Sequence, residues 1–469
     1  MDFETAILNG RPSDGGLYVP TRLPGISLSM LQDWKDLSYV DLSFEILSLF
    51  IDRKTIPAKD LRQLINQSFS TFSHPESIPV CSMKSEKDKY IMELFHGPTL
   101  SFKDVAMGFV VSLFHYFLKR KKKEMTLVVA TSGDTGPAAA YATIGKDSLS
   151  TWTLYPEAYI TEEQERQMTT ITAANVHAVR VKNCPNGSDD LDDLITAMFA
   201  DQQLKKRLNL SSVNSINWGR VMMQTVHYFY GYLQVADRVG EAVNFAVPSG
   251  AFGNLAAGGI AREMGLPVGY FIIGNNKNTC LQRVFSEGIY LREKVQNSLS
   301  SAIDISAPLN FWRYLYFAAG QDTESIRAWM NLAEKKGEVV FDKNTHETFS
   351  QGFLTASVSD EDTLEKIRTV YEQESYLIDP HAAVALVAVD VNKNKLKEHV
   401  KTLYLATAHP AKFPAVIRQV FGKGDLPAAS AHPALESVEK LCQKIYECDF
   451  KNMYEAVPKI MIQTTKGTS

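Results

Sequence analysis

From Tyr90 onward the chain repeats one pattern: a short apolar run, a turn of small or polar residues, then a helical stretch. The runs are Tyr90–Leu94, Met125–Ala130, Thr151–Tyr155, Ala178–Val181, Asn244–Val247, Val268–Ile273 and Thr402–Ala406. They are short, bounded by turn residues and nearly unbroken in hydrophobicity, as strands buried on both faces are. Strands alternating with helices predict an α/β fold of parallel sheets flanked by helices. Before this pattern, residues 1–88 read as an N-terminal helical region. Helical periodicity lies around Leu31–Phe50 and Ala58–Phe69, and Ser73-His74-Pro75 breaks it. Asp14–Pro20 reads as a turn into a short strand. Asn183–Asp193 is polar, acidic and Gly/Pro-bearing, which predicts a surface loop. Residues 421–435 read as a surface connection, with the last helix starting near Leu435.

Composition removes several classes of function. A net charge of -4 gives no bulk electrostatic case for nucleic acid or an anionic membrane. The basic run Lys119–Lys123 falls where a helix should end, and cations suit that dipole end. The five cysteines are dispersed, with no C-x-x-C, which predicts reduced thiols, no structural zinc and a cytoplasmic protein. No apolar run approaches the roughly 18 residues that span a bilayer. The N-terminus has neither the basic nor the apolar region of a secretion signal.

In open α/β sheets, ligands bind beyond the carboxyl ends of strands. Beyond Tyr90–Leu94 comes Phe95-His96-Gly97-Pro98-Thr99-Leu100-Ser101-Phe102-Lys103-Asp104, where a helix starts. Lys103 sits where positive charge is disfavoured, among Phe95, Phe102 and small residues. Lost hydration lowers an amine's pKa and makes it a nucleophile toward carbonyls; a surface lysine at a helix start is the plain alternative. Beyond Ala130 come Thr131-Ser132-Gly133-Asp134-Thr135-Gly136. Their N–H groups and hydroxyls at a helix start can hold a carboxylate, or simply cap a tight turn. Beyond Val247 come Pro248-Ser249-Gly250-Ala251-Phe252-Gly253-Asn254. Two glycines three apart let backbone wrap an anion, and the loop is neither a Walker A nor a dinucleotide motif. Asn214, Ser215, Asn217 and Arg220 offer donors without a countercharge, as a second phosphate site or as a capped helix start with a solvated arginine. Thr407 and His409 read as capping and turn residues.

A desolvated lysine, a phosphate cradle and further anion sites together suit an aldehyde cofactor that carries its own phosphate. Pyridoxal phosphate bound to the lysine fits. These motifs resemble the threonine synthase family, in its longer bacterial and fungal-type branch. Asp14-Gly15-Gly16-Leu17, His96–Thr99, Phe102–Asp104, Thr131–Gly136, Asn214–Asn217 with Arg220, Pro248–Asn254 and Thr407–Phe413 occur in the family's order. The resemblance implies a fold type II pyridoxal-phosphate enzyme, similar to the tryptophan synthase β chain. It implies a large cofactor domain over residues 89–120 and 216–469, and a small substrate domain over 121–215. It implies that Lys103 holds the cofactor, that Gly250, Ala251, Phe252, Gly253 and Asn254 hold its phosphate, that Thr407 lies by the ring nitrogen, and that Asp134 lies by the phenolic oxygen. Ser132 and Thr135 would take the substrate carboxylate, and Asn214, Ser215 and Arg220 the substrate phosphate. Two departures stand out. The family's opening Tyr-x-Ser-Thr-Arg strand has no match before Phe3, and Ala251 replaces a common Asn, which predicts weaker cofactor orientation.

The implied reaction converts O-phospho-L-homoserine and water into L-threonine and phosphate, with no metal, in a monomer or homodimer. Two rivals share these residues: a phospho-lyase releasing 2-oxobutyrate and ammonia, and a non-catalytic protein that only binds the cofactor.

Overall fold

The computed structural model describes residues 1–12, 14–422 and 424–466. In chain order the strands are Val80–Ser82 (β1), Lys89–Glu93 (β2), Met125–Ala130 (β3), Leu149–Pro156 (β4), Val176–Lys182 (β5) and Leu210–Ser211 (β6). Then follow Val243–Pro248 (β7), Val268–Asn275 (β8), Ile289–Leu291 (β9), Glu338–Val340 (β10), Phe353–Ser357 (β11), Thr402–Ala406 (β12) and Tyr446–Asp449 (β13). The larger sheet has the order β1-β2-β12-β7-β8-β11, parallel except for β1. The smaller has the order β13-β5-β4-β3-β6 and is wholly parallel. A short antiparallel pair, β9 with β10, stands apart.

Inner strands divide their apolar side chains between the layers on their two faces, as β12 and β3 show. In β12, Leu403 and Leu405 enter one cluster, while Tyr404 and Ala406 enter the other. In β3, Leu127 and Val129 join the first cluster, and Val128 and Ala130 join a third on the far side of the smaller sheet. One core therefore runs between both sheets, which is why these strands read as unbroken apolar runs. The helix Trp218–Val235 is buried within that core along nearly its whole length. At Gly231 it lies so close to the larger sheet that a Cβ would come 2.5 Å from Leu403 Cδ2. The N-terminal helices Phe3–Asn9, Leu28–Asp33, Tyr39–Phe50 and Ala58–Phe69 insert Ile7, Leu31, Ile46 and Ile65 into the same core.

Several expectations are corrected. Asp14–Pro20 forms no strand; a guanidinium, Arg313 Nε, takes the Tyr18 carbonyl that a ladder would have used, at 3.2 Å. The helix Ser188–Ala200 begins inside the expected 183–193 loop, and Ser188, Asp189 and Asp190 are buried. Their polarity serves local bonds: Asp190 accepts from the Asn186 N–H at 2.8 Å, and Asp189 from the Ser306 N–H at 3.2 Å. Residues 216–469 do not all belong with the larger sheet. β13 pairs in parallel with β5, Glu447 bridges Arg180 and Lys182 at 2.8 Å, and Met453 and Val457 join Val179 and Leu194. The last helix is Met453–Lys466, after a shorter one at Pro433–Glu439. Lys423 of the expected surface connection and residues 467–469 lie outside the described residues. Among the described residues, no helix is long and apolar enough to cross a membrane.

Candidate active site

The cavity lies where strand ends of the two sheets face each other. Its lysine turn is held by the loop after β12. The Phe102 N–H donates to the Thr407 carbonyl at 2.7 Å, and the His409 N–H to the Leu100 carbonyl at 3.0 Å. Leu100 takes a left-handed conformation, φ 60°. Asp104 accepts from the Thr99 N–H at 2.8 Å and the Thr99 hydroxyl at 2.7 Å. Gly97 passes so close that a Cβ there would lie 2.3 Å from Asp104 Cβ. The turn thus delivers Lys103 at the first position of the helix Lys103–Lys121, its Nζ 4.2 Å from the Phe102 ring centre. Burial, with Arg220 and then Lys412 opposing a second positive charge, lowers the amine's pKa from 10.5 to about 8, although Asp134 pulls the other way.

The turn after β3 is shaped by Thr131, whose hydroxyl accepts from the N–H groups of Gly133 and Gly136 at 3.0 Å. Asp134, buried, heads the helix Thr135–Thr143. It pairs with Lys412 at 2.7 Å and accepts from Gln164 at 3.0 Å. Although burial opposes ionisation, Lys412, His381 and Lys103 together hold its carboxyl below the ordinary value.

The loop after β7 turns into the helix Gly253–Glu263 through Phe252, φ 63°. A Cβ on Gly250 would lie 2.9 Å from Ile303 Cα, so the backbone there approaches a neighbour that larger residues would displace. Asn254 Oδ1 accepts from His227 at 2.8 Å and from the Tyr228 hydroxyl at 2.9 Å, leaving its buried Nδ2 without a partner. In the 212–220 segment, Asn214 donates to the Ala130 carbonyl at 2.8 Å and Ser215 accepts from Asn310 at 2.7 Å. Arg220 is fully buried, donates to the Val213 carbonyl at 3.0 Å and keeps an unpartnered Nε. Burial lowers its pKa to about 10, against the pull of Asp104. Among the described residues no carboxylate pairs with it.

Lys103, Ser132, Asp134, Thr135, Asn214, Ser215, Arg220, Gly250, Ala251, Phe252, Gly253, Asn254 and Thr407 all line this one cavity. The residues fit a phosphate-bearing pyridine aldehyde: an amine of depressed pKa, a glycine cradle, and unpartnered buried donors on Asn254 and Arg220. Arg11, Gln224 and His381 also line it and were not expected. His381 accepts from the Ala302 N–H at 3.1 Å and is held by Asp379 at 2.7 Å. Arg313, another unexpected residue, grips the carbonyls of Ser215 at 3.0 Å and Ile216 at 2.7 Å. Nothing local marks an arginine that acts on backbone about 97 residues away; for Gln224, the spacing of four from Arg220 on one helix was the available signal.

Residues 1–69 match the family model "Threonine synthase N terminus", 84–346 that of pyridoxal-phosphate dependent enzymes, and 382–459 "Threonine synthase, C-terminal". Threonine synthase of Saccharomyces cerevisiae is 40% identical over 441 residues, 88% of this chain and 85% of that protein. Threonine synthase-like 2 of Rattus norvegicus is 37% identical over 448 residues, 94% of this chain and 91% of that protein. The solved structure of pyridoxal-phosphate-bound threonine synthase from Brucella melitensis superposes with TM-score 0.88 at 33% identity, covering 99% of this chain and 97% of that one.

Proposed function

The chain belongs to the threonine synthase family of pyridoxal-phosphate enzymes, and from that premise we propose that it converts O-phospho-L-homoserine and water into L-threonine and phosphate, closing threonine biosynthesis. The observation that carries this reading is one cavity holding both a low-pKa amine, Lys103, and a buried arginine, Arg220, that pairs with no carboxylate among the described residues. A guanidinium in that state is poised for a dianionic phosphate brought in by substrate.

Pyridoxal phosphate, when bound, supplies an electron sink for the carbons beside the substrate's amino group. We assign Gly250, Ala251, Phe252, Gly253 and Asn254 to its phosphate, Thr407 to the ring nitrogen, Asp134 to the phenolic oxygen and Lys103 to the aldehyde carbon. Ser132 and Thr135 hold the substrate carboxylate; Asn214, Ser215 and Arg220 hold its phosphate. Lys103 Nζ removes the proton from Cα and then moves a proton at Cβ. The γ-phosphate leaves toward Arg220, and the proton taken from Cβ is delivered to Cγ to complete the methyl group. Water adds its hydroxyl at Cβ while its other proton ends on the released phosphate, and Lys103 returns a proton to Cα. We extend the reading to a reducing, cytoplasmic setting, supported by five cysteines that are all free thiols.

The test is to mix purified protein, pyridoxal phosphate and O-phosphohomoserine and to identify the organic product by NMR. Threonine with phosphate is the expected result. 2-Oxobutyrate with ammonia would move the protein to lyase chemistry, and no release of phosphate would overturn both readings.

A further inference from the structure

Lys412 ends the short turn Pro410–Lys412 after β12 and is fully buried. Its Nζ donates to Asp134 Oδ1 at 2.7 Å and to the Thr99 carbonyl at 2.9 Å. Asp134 belongs to the turn after β3, in the smaller sheet. Thr99 belongs to the lysine turn and holds Asp104, the residue next to Lys103. The Lys412 carbonyl accepts from the Thr161 hydroxyl at 3.1 Å, and Gln167 donates to the Thr99 carbonyl at 3.2 Å. One ammonium therefore joins three segments that build the cavity, two from the larger sheet and one from the smaller. A cation so buried is tolerable only when its partners are fixed around it, and its carboxylate partner lines the cavity. The other ionisable groups acting here are Lys103 and His381 on Asp134, Lys412 on Asp104, and Arg220 on Lys103.

Resting on the assignment of this cavity to pyridoxal phosphate with Lys103 as its amine, we propose that Lys412 is a positioning residue: it keeps Asp134 ionised and in place, and locks the smaller sheet's anion turn against the Lys103 turn. A surface ion pair could be removed at little cost. Removing this cation leaves Asp134 as a buried carboxylate without its counterion, so the carboxyl takes up a proton and the turn loosens.

The experiment compares holoenzyme of wild type, Lys412→Met and the double variant Lys412→Met with Asp134→Asn. Visible spectra of the bound cofactor are recorded across pH, alongside kcat and KM for O-phosphohomoserine. Lys412→Met is expected to lower kcat by about 100-fold, the cost of a misplaced catalytic group. KM should change far less, and the spectral pH profile should shift. The double variant removes both members of the pair and should regain thermal stability, yet keep the kcat loss and the altered spectrum. A wild-type kcat and spectral profile in either variant would overturn the proposal. Failure of both to fold would also overturn it, by making the pair scaffold alone. A wild type that makes no threonine, while Lys412→Met still alters the cofactor spectrum, would sink the proposed reaction and leave this inference standing.

Discussion

At the scale of single residues, the cavity sacrifices stability for chemistry. Holding Lys103 at a pKa of about 8 instead of 10.5 corresponds to about 3 kcal/mol disfavouring its charged form, an upper figure for a side chain that is only partly buried. The folded pKa is depressed, so this cost is present in full below pH 8 and fades as pH rises from about 8 to 10.5. Lys103→Met should therefore raise the melting temperature of the cofactor-free protein at pH 7 while abolishing turnover. A lower melting temperature at pH 7, or retained threonine formation, would refute the account. Arg220→Ala removes a charged donor worth about 2 kcal/mol, so KM for O-phosphohomoserine should rise roughly 30-fold and inhibition by free phosphate should weaken in step. If steady-state kinetics show KM rising without weaker phosphate inhibition, Arg220 serves the fold and not the substrate. Both residues could be singled out in the sequence because their oddity is local: a lysine at a helix start, an arginine among amides with no acid nearby.

At the scale of elements, the helix Trp218–Val235 connects the two proposed anion sites. Arg220, Gln224 and His227 fall at i, i+4 and i+7 on one face, and His227 with Tyr228 orients Asn254 at the start of the next helix. Burial lowers the His227 pKa to about 4, so the imidazole stays neutral near pH 7. The glycine loop depends on a missing side chain instead. A Cβ at Gly250 would press on the backbone of Ile303, at 2.9 Å from Cα and 3.0 Å from the carbonyl oxygen. Gly250→Ala should displace the loop and weaken retention of pyridoxal phosphate by at least about tenfold, since a tenfold loss is 1.4 kcal/mol. Titration of apoenzyme with cofactor, followed by visible absorbance, measures this; unchanged affinity would mean that the loop does not bear the phosphate. Strand β11 escaped the sequence reading because Phe353–Ser357 follows a helix almost directly and carries two hydroxyl residues. β6 is two residues long, too short for any periodicity.

At the scale of the whole molecule, the chain end completes the smaller sheet. Truncation after Lys444 removes none of the described residues that line the cavity, yet it bares the β5 edge and the faces of Val179, Val181 and Leu194. The truncated protein should aggregate on size exclusion and lose activity, as an open edge beside uncovered apolar surface favours; a monodisperse, active product would contradict this. The sequence by itself determined the strands of the inner sheets and the turn chemistry after each, because period, glycine placement and hydroxyl clusters act within a few residues. It marked Lys103, Ser132, Gly250 and Arg220 for that reason. Only the tertiary structure decided that these turns share one cavity and that Lys412 faces Asp134. It also decided that Arg313 grips the 215–216 backbone and that β13 returns to the smaller sheet. Each of those contacts joins residues far apart in the chain, and a buried charge meets its partner only after the core has packed around both.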